Sequence, residues 1–291
     1  MSIGPYRIDP DDPRAPPQEV WERLTPEERA RIVAGLPSEF PVSEAAPPEG
    51  DFHFVAKVRT REVLGGFFTR TGRKVYLACE LPVYYPGERM FAPDVIAVVG
   101  VESHERMSWV VSAEGKGLDF ALEIHVAGDR RKDLERNVER FARLGIREYF
   151  LFDRGRLRLT GWRLAAGRRR YRTILSQQGL FASEVLGLDL RVEGERLRFL
   201  RDGAPLPEAD ELIAMLERRS QDSEAQRARE ARMRAELEQQ LAEQSRLRAE
   251  EARLRAEEAR LRAEETRRRE ESERQLAEAL AELARLRGGP G

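Results

Sequence analysis

Between Phe91 and Asp153 three apolar segments follow one another, and two of them carry a carboxylate, Asp94 and Glu123, among residues that otherwise belong in a core. Phe-Ala-Pro-Asp-Val-Ile-Ala-Val-Val (91–99) and Leu-Asp-Phe-Ala-Leu-Glu-Ile-His-Val (118–126) read as strands, and Tyr149 to Phe152 as a third, buried one. Arg130 to Leu144 reads as an amphipathic helix, with Leu134, Val138, Phe141 and Leu144 inward and Gly145 as its C-cap residue. Strand–helix–strand order favours a crossover onto a partly parallel sheet. Asp94 and Glu123 break that pattern. A charge in a core is costly unless it is paired or holds a metal, so these two acids are the first candidates for chemistry.

Upstream, residues 1–17 are rich in Pro and Asp and are expected to be poorly ordered. From Gln18 to Leu36 the apolar positions are Val20, Leu24, Ile32, Val33 and Leu36, interrupted by Thr25-Pro26-Glu27-Glu28. Thr caps well and Pro suits a first turn, so two short helices are predicted. A Pro-rich connector (37–50) leads to a predicted helix from Asp51 to Thr69 with Phe54, Val58, Val63, Leu64 and Phe67 as its apolar stripe. Val75 to Ala78 and Leu81 to Tyr85 read as strands, Pro86-Gly87 as a turn, and 102–117 as a loop with an apolar interlude at Trp109. Arg156 to Trp162 and Arg170 to Ile174 flank Ala165-Ala166-Gly167 as a β-hairpin, and 179–203 repeat that theme weakly. The expectation is one α/β domain over residues 18–207.

The rest of the chain is a different material. After about Leu216 aromatic residues vanish, and from Arg246 the heptad Arg-Leu-Arg-Ala-Glu-Glu-Ala recurs. Leu247, Leu254 and Leu261 fall seven apart, while Ala249, Ala252, Ala256, Ala259 and Ala263 alternate in steps of three and four. Glu251 with Arg255 and Glu258 with Arg262 are i,i+4 pairs in the favourable order. A long helix over 208–287 is predicted, with a tail at 288–291. The leucines and alanines lie on roughly opposite faces, which leaves a homo-oligomeric coiled coil and a solvated single helix both open.

The formal net charge of −1 offers no global attraction for a polyanion, so any nucleic-acid contact must be local. One local candidate exists: Arg154, Arg156, Arg158, Arg163, Arg168, Arg169, Arg170 and Arg172 follow one another without an intervening acid. Arg156, Arg158, Arg168, Arg169 and Arg170 are taken as candidate phosphate contacts. A single cysteine, Cys79, cannot form an internal disulfide, no apolar run reaches membrane-spanning length, and the N-terminus has no signal-peptide core. A soluble, cytoplasmic protein is the expectation.

Side chains alternate along a strand, so Glu123 and His125 share a face while Phe120, Leu122, Ile124 and Val126 take the other. If the Asp94 strand lies alongside, Asp94 and Glu123 converge at one rim. With a carbonyl such as that of Ile124 they form a hard oxygen site suited to Mg²⁺ or Mn²⁺. A metal there activates water for in-line attack on phosphorus, the minimal hardware of a phosphodiesterase.

Pro93-Asp94, Leu122-Glu123-Ile124, Arg130-Arg131-Lys132-Asp133 and the run Phe141 to Asp153 resemble the Uma-two-type restriction endonucleases, a family of the PD-(D/E)XK nuclease superfamily. His53, opening the helix before the strands, fits the same pattern. The resemblance covers roughly residues 20–200. It implies a restriction-endonuclease-like mixed sheet flanked by helices, Asp94 and Glu123 as metal ligands, and DNA as the substrate. Two departures stand out: the superfamily's lysine two residues after the second acid is His125, and the family's helix lysine, fourteen residues beyond it, is Asn137. His125 can serve as a general base near neutral pH, and Asn137 can only orient. The expected function is a metal-dependent DNA endonuclease. A catalytically inactive module that binds or scaffolds through the terminal helix is the alternative, and a coiled-coil rod with an anchoring head is a third.

Overall fold

The computed structural model describes residues 6–39, 50–126, 132–165 and 167–287. Its elements run α1 (Gln18–Trp21), α2 (Pro26–Gly35), α3 (Gly50–Thr71), β1 (Val75–Ala78), β2 (Val83–Tyr84), β3 (Val95–Val99), β4 (Trp109–Val110), α4 (Val111–Glu114) and β5 (Phe120–His125). A π-helical turn (Lys132–Arg136) then leads into α5 (Asn137–Leu144), β6 (Glu148–Asp153), β7 (Arg158–Leu164) and β8 (Tyr171–Ile174). The chain continues with β9 (Phe181–Ser183), β10 (Leu188–Glu193), β11 (Arg196–Arg201), β12 (Ala204–Pro205) and α6 (Ala209–Arg287). Residues up to Ile213 form one compact unit and those from Ala214 a second.

Six strands form the main sheet in the order β1-β3-β5-β6-β7-β8. β5 and β6 are parallel, joined through the π-turn and α5, and every other neighbour pair is antiparallel. This is the mixed sheet that the strand–helix–strand order predicts. Its two faces bury different layers. Val75, Leu77, Val95, Ala97, Phe120, Leu122, Ile124, Phe150 and Phe152 pack with Val63, Leu64, Phe67 and Phe68 of α3 and with Leu188, Leu190 and Phe199 of a second sheet. That sheet has the order β12-β11-β10-β9, where the sequence shows only a weak strand pattern. On the other face Tyr76, Ile96, Val98, Ala121, Tyr149 and Leu151 pack with Trp109, Phe141 and Ile146.

The N-terminal layer departs from expectation. Residues 6–17 are packed rather than loose: Ala15 is fully buried beside Trp21, Ile32 and Tyr84, and the Tyr6 hydroxyl donates to the Arg14 carbonyl at 3.1 Å. Isolated bridges tie Arg14 to Arg89 and Ala15 to Pro86. α1 and α2 are separate helices, as the cap signal predicts. Thr25 caps α2 by accepting from the Glu28 N–H at 3.2 Å while Glu28 accepts from the Thr25 N–H at 2.8 Å. The 102–117 loop holds β4 and the short α4. The expected start of the α5 helix at Arg130 and Arg131, the hairpin residue Ala166, and the 288–291 tail lie outside the described residues.

Helix α3 corrects the expected stripe. Its buried positions are His53, Lys57, Thr60, Val63, Leu64, Phe67 and Phe68, whereas Phe54 is 62% exposed. The spacing of four, three and three to four is a single helical face. The half beyond Thr60 is apolar and sits on the sheet. The half before it is polar, and for that reason apolar periodicity placed Phe54 inward when it points out.

A buried carboxylate holds the two sheets together. Glu148, fully buried at the start of β6, accepts from Arg163 Nε at 2.7 Å and from the N–H groups of Glu184 and Val185 at 2.9 and 3.3 Å, with the Ser183 hydroxyl as a fourth donor. Arg163 therefore serves this pair. Near the end of the same unit Arg198 bonds Glu211 at 2.9 and 3.0 Å and Glu208 at 2.9 Å. These bonds lower the Glu211 carboxyl below its ordinary value and raise Arg198.

The second unit is the remainder of α6. From Met215 on, its described side chains are solvent-exposed, and Arg255 and Arg262 reach Glu251 and Glu258 at 2.6 Å one turn away. Such pairs contribute about 0.3–0.5 kcal/mol each. Leu247, Leu254 and Leu261 are 55–60% exposed.

Removing one partner of a buried charge pair strands the other, at roughly 3–5 kcal/mol. Glu148→Ala is therefore expected to lower unfolding free energy by about that amount, measured by urea denaturation, while Glu258→Ala on α6 changes the folded unit's transition by less than about 0.5 kcal/mol.

Candidate active site

The central antiparallel pair sets the site. Val95 of β3 faces Leu122 of β5, so one step further along the register Asp94 comes opposite Glu123. Glu123 Oε2 accepts from the Asp94 N–H at 3.3 Å, and Asp94 Oδ2 accepts from the Ile124 N–H at 2.6 Å. Each acid is thus bound to the other's strand. The remaining oxygens face the flanking helices: Glu123 Oε1 accepts from Asn137 Nδ2 at 3.2 Å, and Asp94 Oδ1 lies 3.0 Å from His53 Nε2.

On the α5 side, Asp133 of the π-turn and Asn137 stand four residues apart and are joined at 3.2 Å. A π-turn carries an extra residue per turn and often marks a functional site. His125 shares the Glu123 face, as strand alternation predicts, and its Nδ1 lies 3.7 Å from Asp133 Oδ2. Asn137 is buried against Glu123. Beneath these acids the Tyr149 hydroxyl donates to the Asp133 carbonyl at 3.0 Å. Burial first, and then the charges of Glu123, Asp133 and Asp94, raise its pKa well above the ordinary phenol value, so it stays a neutral donor.

On the α3 side stand two residues that sequence reasoning missed, Lys57 and Glu80, beside His53, which it had placed in the family pattern. Ligand atoms of His53, Glu80 and Asp94 all lie within 4.8 Å of one another. Buried Lys57, one turn after His53, places Nζ 2.5 Å from Glu80 Oε1. Glu80 follows β1 with φ of +48°, a left-handed conformation unusual for a residue with a side chain. The missed signal was Lys57 in phase with His53 and Leu64 on α3.

The donors suit a divalent cation. Asp94 and Glu123 are hard carboxylates, as Mg²⁺ and Mn²⁺ prefer, and the imidazole of His53 adds a nitrogen that suits the transition metal better. Asp94 belongs to both the expected pair and the three-residue cluster, and so is the common member of either ligand set.

The arginine hairpin divides. Arg158 pairs with Asp153, and Asp153 with His125, so Arg156 and Arg158 are at the rim that carries the acids. Arg163 pairs with Glu148 at the far end of the sheet, and Arg168, Arg169 and Arg170 lie in the turn beyond it. Five strand residues, about 17 Å, separate the ends. The hairpin as a whole is therefore not beside the acids. Two-residue alternation fixes a face, but the hairpin's direction depends on pairing that only the tertiary fold defines.

A mixed sheet with two acids at one end of its central strands, flanked by α3 and α5, is a restriction-endonuclease-like α/β fold. The family model Uma2, described as "Putative restriction endonuclease", matches residues 42–193, just over half of the chain. The chain belongs to the Uma2 family. A solved structure from Anabaena variabilis, titled a "putative nuclease belonging to DUF820", is 13% identical, covers 48% of this chain and 76% of its own, and superposes with a TM-score of 0.39. No curated protein matches the chain.

Cys79, next to Glu80, is half-buried, and burial raises its thiol to about 11. That is two units above the ordinary value of 9.0, so the thiolate fraction at pH 8 falls about a hundredfold. Iodoacetamide labelling at pH 8 is expected to be slower by about that factor in folded than in urea-unfolded protein.

Proposed function

We propose that the chain is a divalent-metal-dependent endonuclease that hydrolyses phosphodiester bonds of DNA, with Asp94 and Glu123 as ligands for Mg²⁺ or Mn²⁺. The observation that carries this reading is the reciprocal tie between the two acids, Glu123 Oε2 to the Asp94 N–H and Asp94 Oδ2 to the Ile124 N–H. The family supports it. When bound, the metal supplies Lewis-acid stabilisation of the phosphate and a more acidic water.

In this mechanism the water oxygen forms a bond to phosphorus, the bond from phosphorus to the leaving sugar oxygen breaks, and that oxygen gains a proton from solvent. His125, facing Asp133, accepts the proton that the water loses. Asn137 holds Glu123 in place, and neutral Tyr149 braces the Asp133 turn. Arg156 and Arg158 meet phosphates near the scissile bond. Arg168, Arg169 and Arg170, in the turn more than about 17 Å along the sheet, meet the same duplex at least about five base pairs away.

Helix α6 makes the protein a homo-oligomer in this reading, with Leu276, Leu280 and Leu283, in steps of four and three, as an apolar seam near its end. Two subunits bring two sites to the two strands of a duplex. The compartment is the cytoplasm, where Cys79 stays reduced; among the described residues no helix is long and apolar enough to cross a membrane. A second reading, an inactive module that binds or scaffolds, is favoured by His125 and Asn137 where lysines are expected.

Nicking of supercoiled plasmid separates them. Activity that needs Mg²⁺ or Mn²⁺ and falls at least 10²-fold in both Asp94→Ala and Glu123→Ala is the expected outcome. No cleavage, with salt-sensitive plasmid retention indifferent to those acids, establishes the second reading instead. In filter binding, Arg156→Ala with Arg158→Ala is expected to weaken retention and flatten its salt dependence by about two counterions.

A further inference from the structure

Lys57 is the least economical residue on the buried stripe of α3. Its side chain is only 7% exposed, while its partner Glu80 is 54% exposed. An ammonium on this stripe must give up hydration, and a half-solvated carboxylate returns little of that loss. Stripe positions further along are Val63, Leu64, Phe67 and Phe68, and an apolar residue at 57 would continue them. Fold stability does not account for the charge.

Its location does. Lys57 stands one turn beyond His53, whose imidazole touches Asp94, and its ammonium rests on Glu80, whose carboxylate lies within 4.8 Å of the Asp94 and His53 ligand atoms. Glu80 is held there by its own N–H, which donates to the Pro93 and Asp94 carbonyls at 3.2 and 3.3 Å, and it keeps a left-handed backbone in doing so. Strain of this kind persists where the surroundings enforce it, often at functional sites. Meanwhile neither neighbour of the second acid is a lysine: position 125 is a histidine and position 137 an asparagine.

We infer that Lys57 is the lysine of this site, delivered by helix α3 and aimed by Glu80, and that its ammonium stabilises the negative charge growing on the attacked phosphate. The inference rests on the endonuclease reading and deepens it. Lysine meets a phosphate as a point charge, so arginine at 57 keeps part of the effect.

Wild type, Lys57→Met, Lys57→Arg and Glu123→Ala are compared on supercoiled plasmid with Mn²⁺, beside their thermal unfolding. Lys57→Met is expected to melt at or above the wild-type temperature, to keep KM within about threefold, and to lose about 10²–10³-fold in kcat. Lys57→Arg is expected to recover at least a tenth of the wild-type rate, roughly. A Lys57→Met rate within about threefold of wild type overturns the role of Lys57 alone. So does a parallel fall of rate and melting temperature that Lys57→Arg does not rescue, because that is a structural residue's behaviour. A wild type with no metal-dependent nicking, indistinguishable from Glu123→Ala, overturns the endonuclease reading together with this one.

Discussion

The antiparallel pairing of β3 with β5 is the constraint on which the rest of the site depends. It sets Val95 against Leu122, and from that register Asp94 and Glu123 end up opposite each other at the sheet's edge. Strand pairing of this sort is specified by apolar packing on both faces, since a one-residue slip would turn Phe120, Leu122 and Ile124 out of their layer. The acids themselves therefore need contribute nothing to folding. They inherit their position from hydrophobic neighbours and then each accepts a hydrogen bond from the backbone of the other's strand.

Helices on the two faces bring unlike chemistry to that edge. From α5 and its π-turn come Asp133 and Asn137, an acid and an amide; from α3 come His53 and Lys57, both able to be cationic. Carboxylates at the centre thus have an acidic, proton-accepting wall on one side and a basic wall on the other. An α3 whose inner face is half core and half site couples the two functions, because the Leu64 and Phe67 contacts fix the axial position of His53.

Much of this was legible in the sequence, and the failures have physical causes. The alternation of Phe120, Leu122 and Ile124 with Glu123 and His125 revealed the face of each residue, because a strand's period of two leaves no ambiguity. Gly145 and the Thr25-Pro26 start marked helix ends through backbone requirements that are purely local. Phe54 was misread because hydrophobicity was assumed to define the inner face of α3, and at its first turns polarity defines it instead. The N-terminal segment looked disordered by composition, yet Ala15 and Tyr6 are held by residues of the β2 region some seventy positions away. Glu80 gave no local sign: a carboxylate after a short strand acquires meaning only when β1 is laid beside β3.

Glu80 also creates a conflict between two kinds of selection. Its left-handed backbone, at φ of +48°, is one that glycine adopts freely and that costs a side-chain-bearing residue about 1 kcal/mol. Relief of that torsion alone would favour glycine there. A glycine would leave the buried Lys57 ammonium without its counter-ion, and a stranded buried charge costs more than the torsion returns, so that backbone ease and charge balance oppose each other at a single residue.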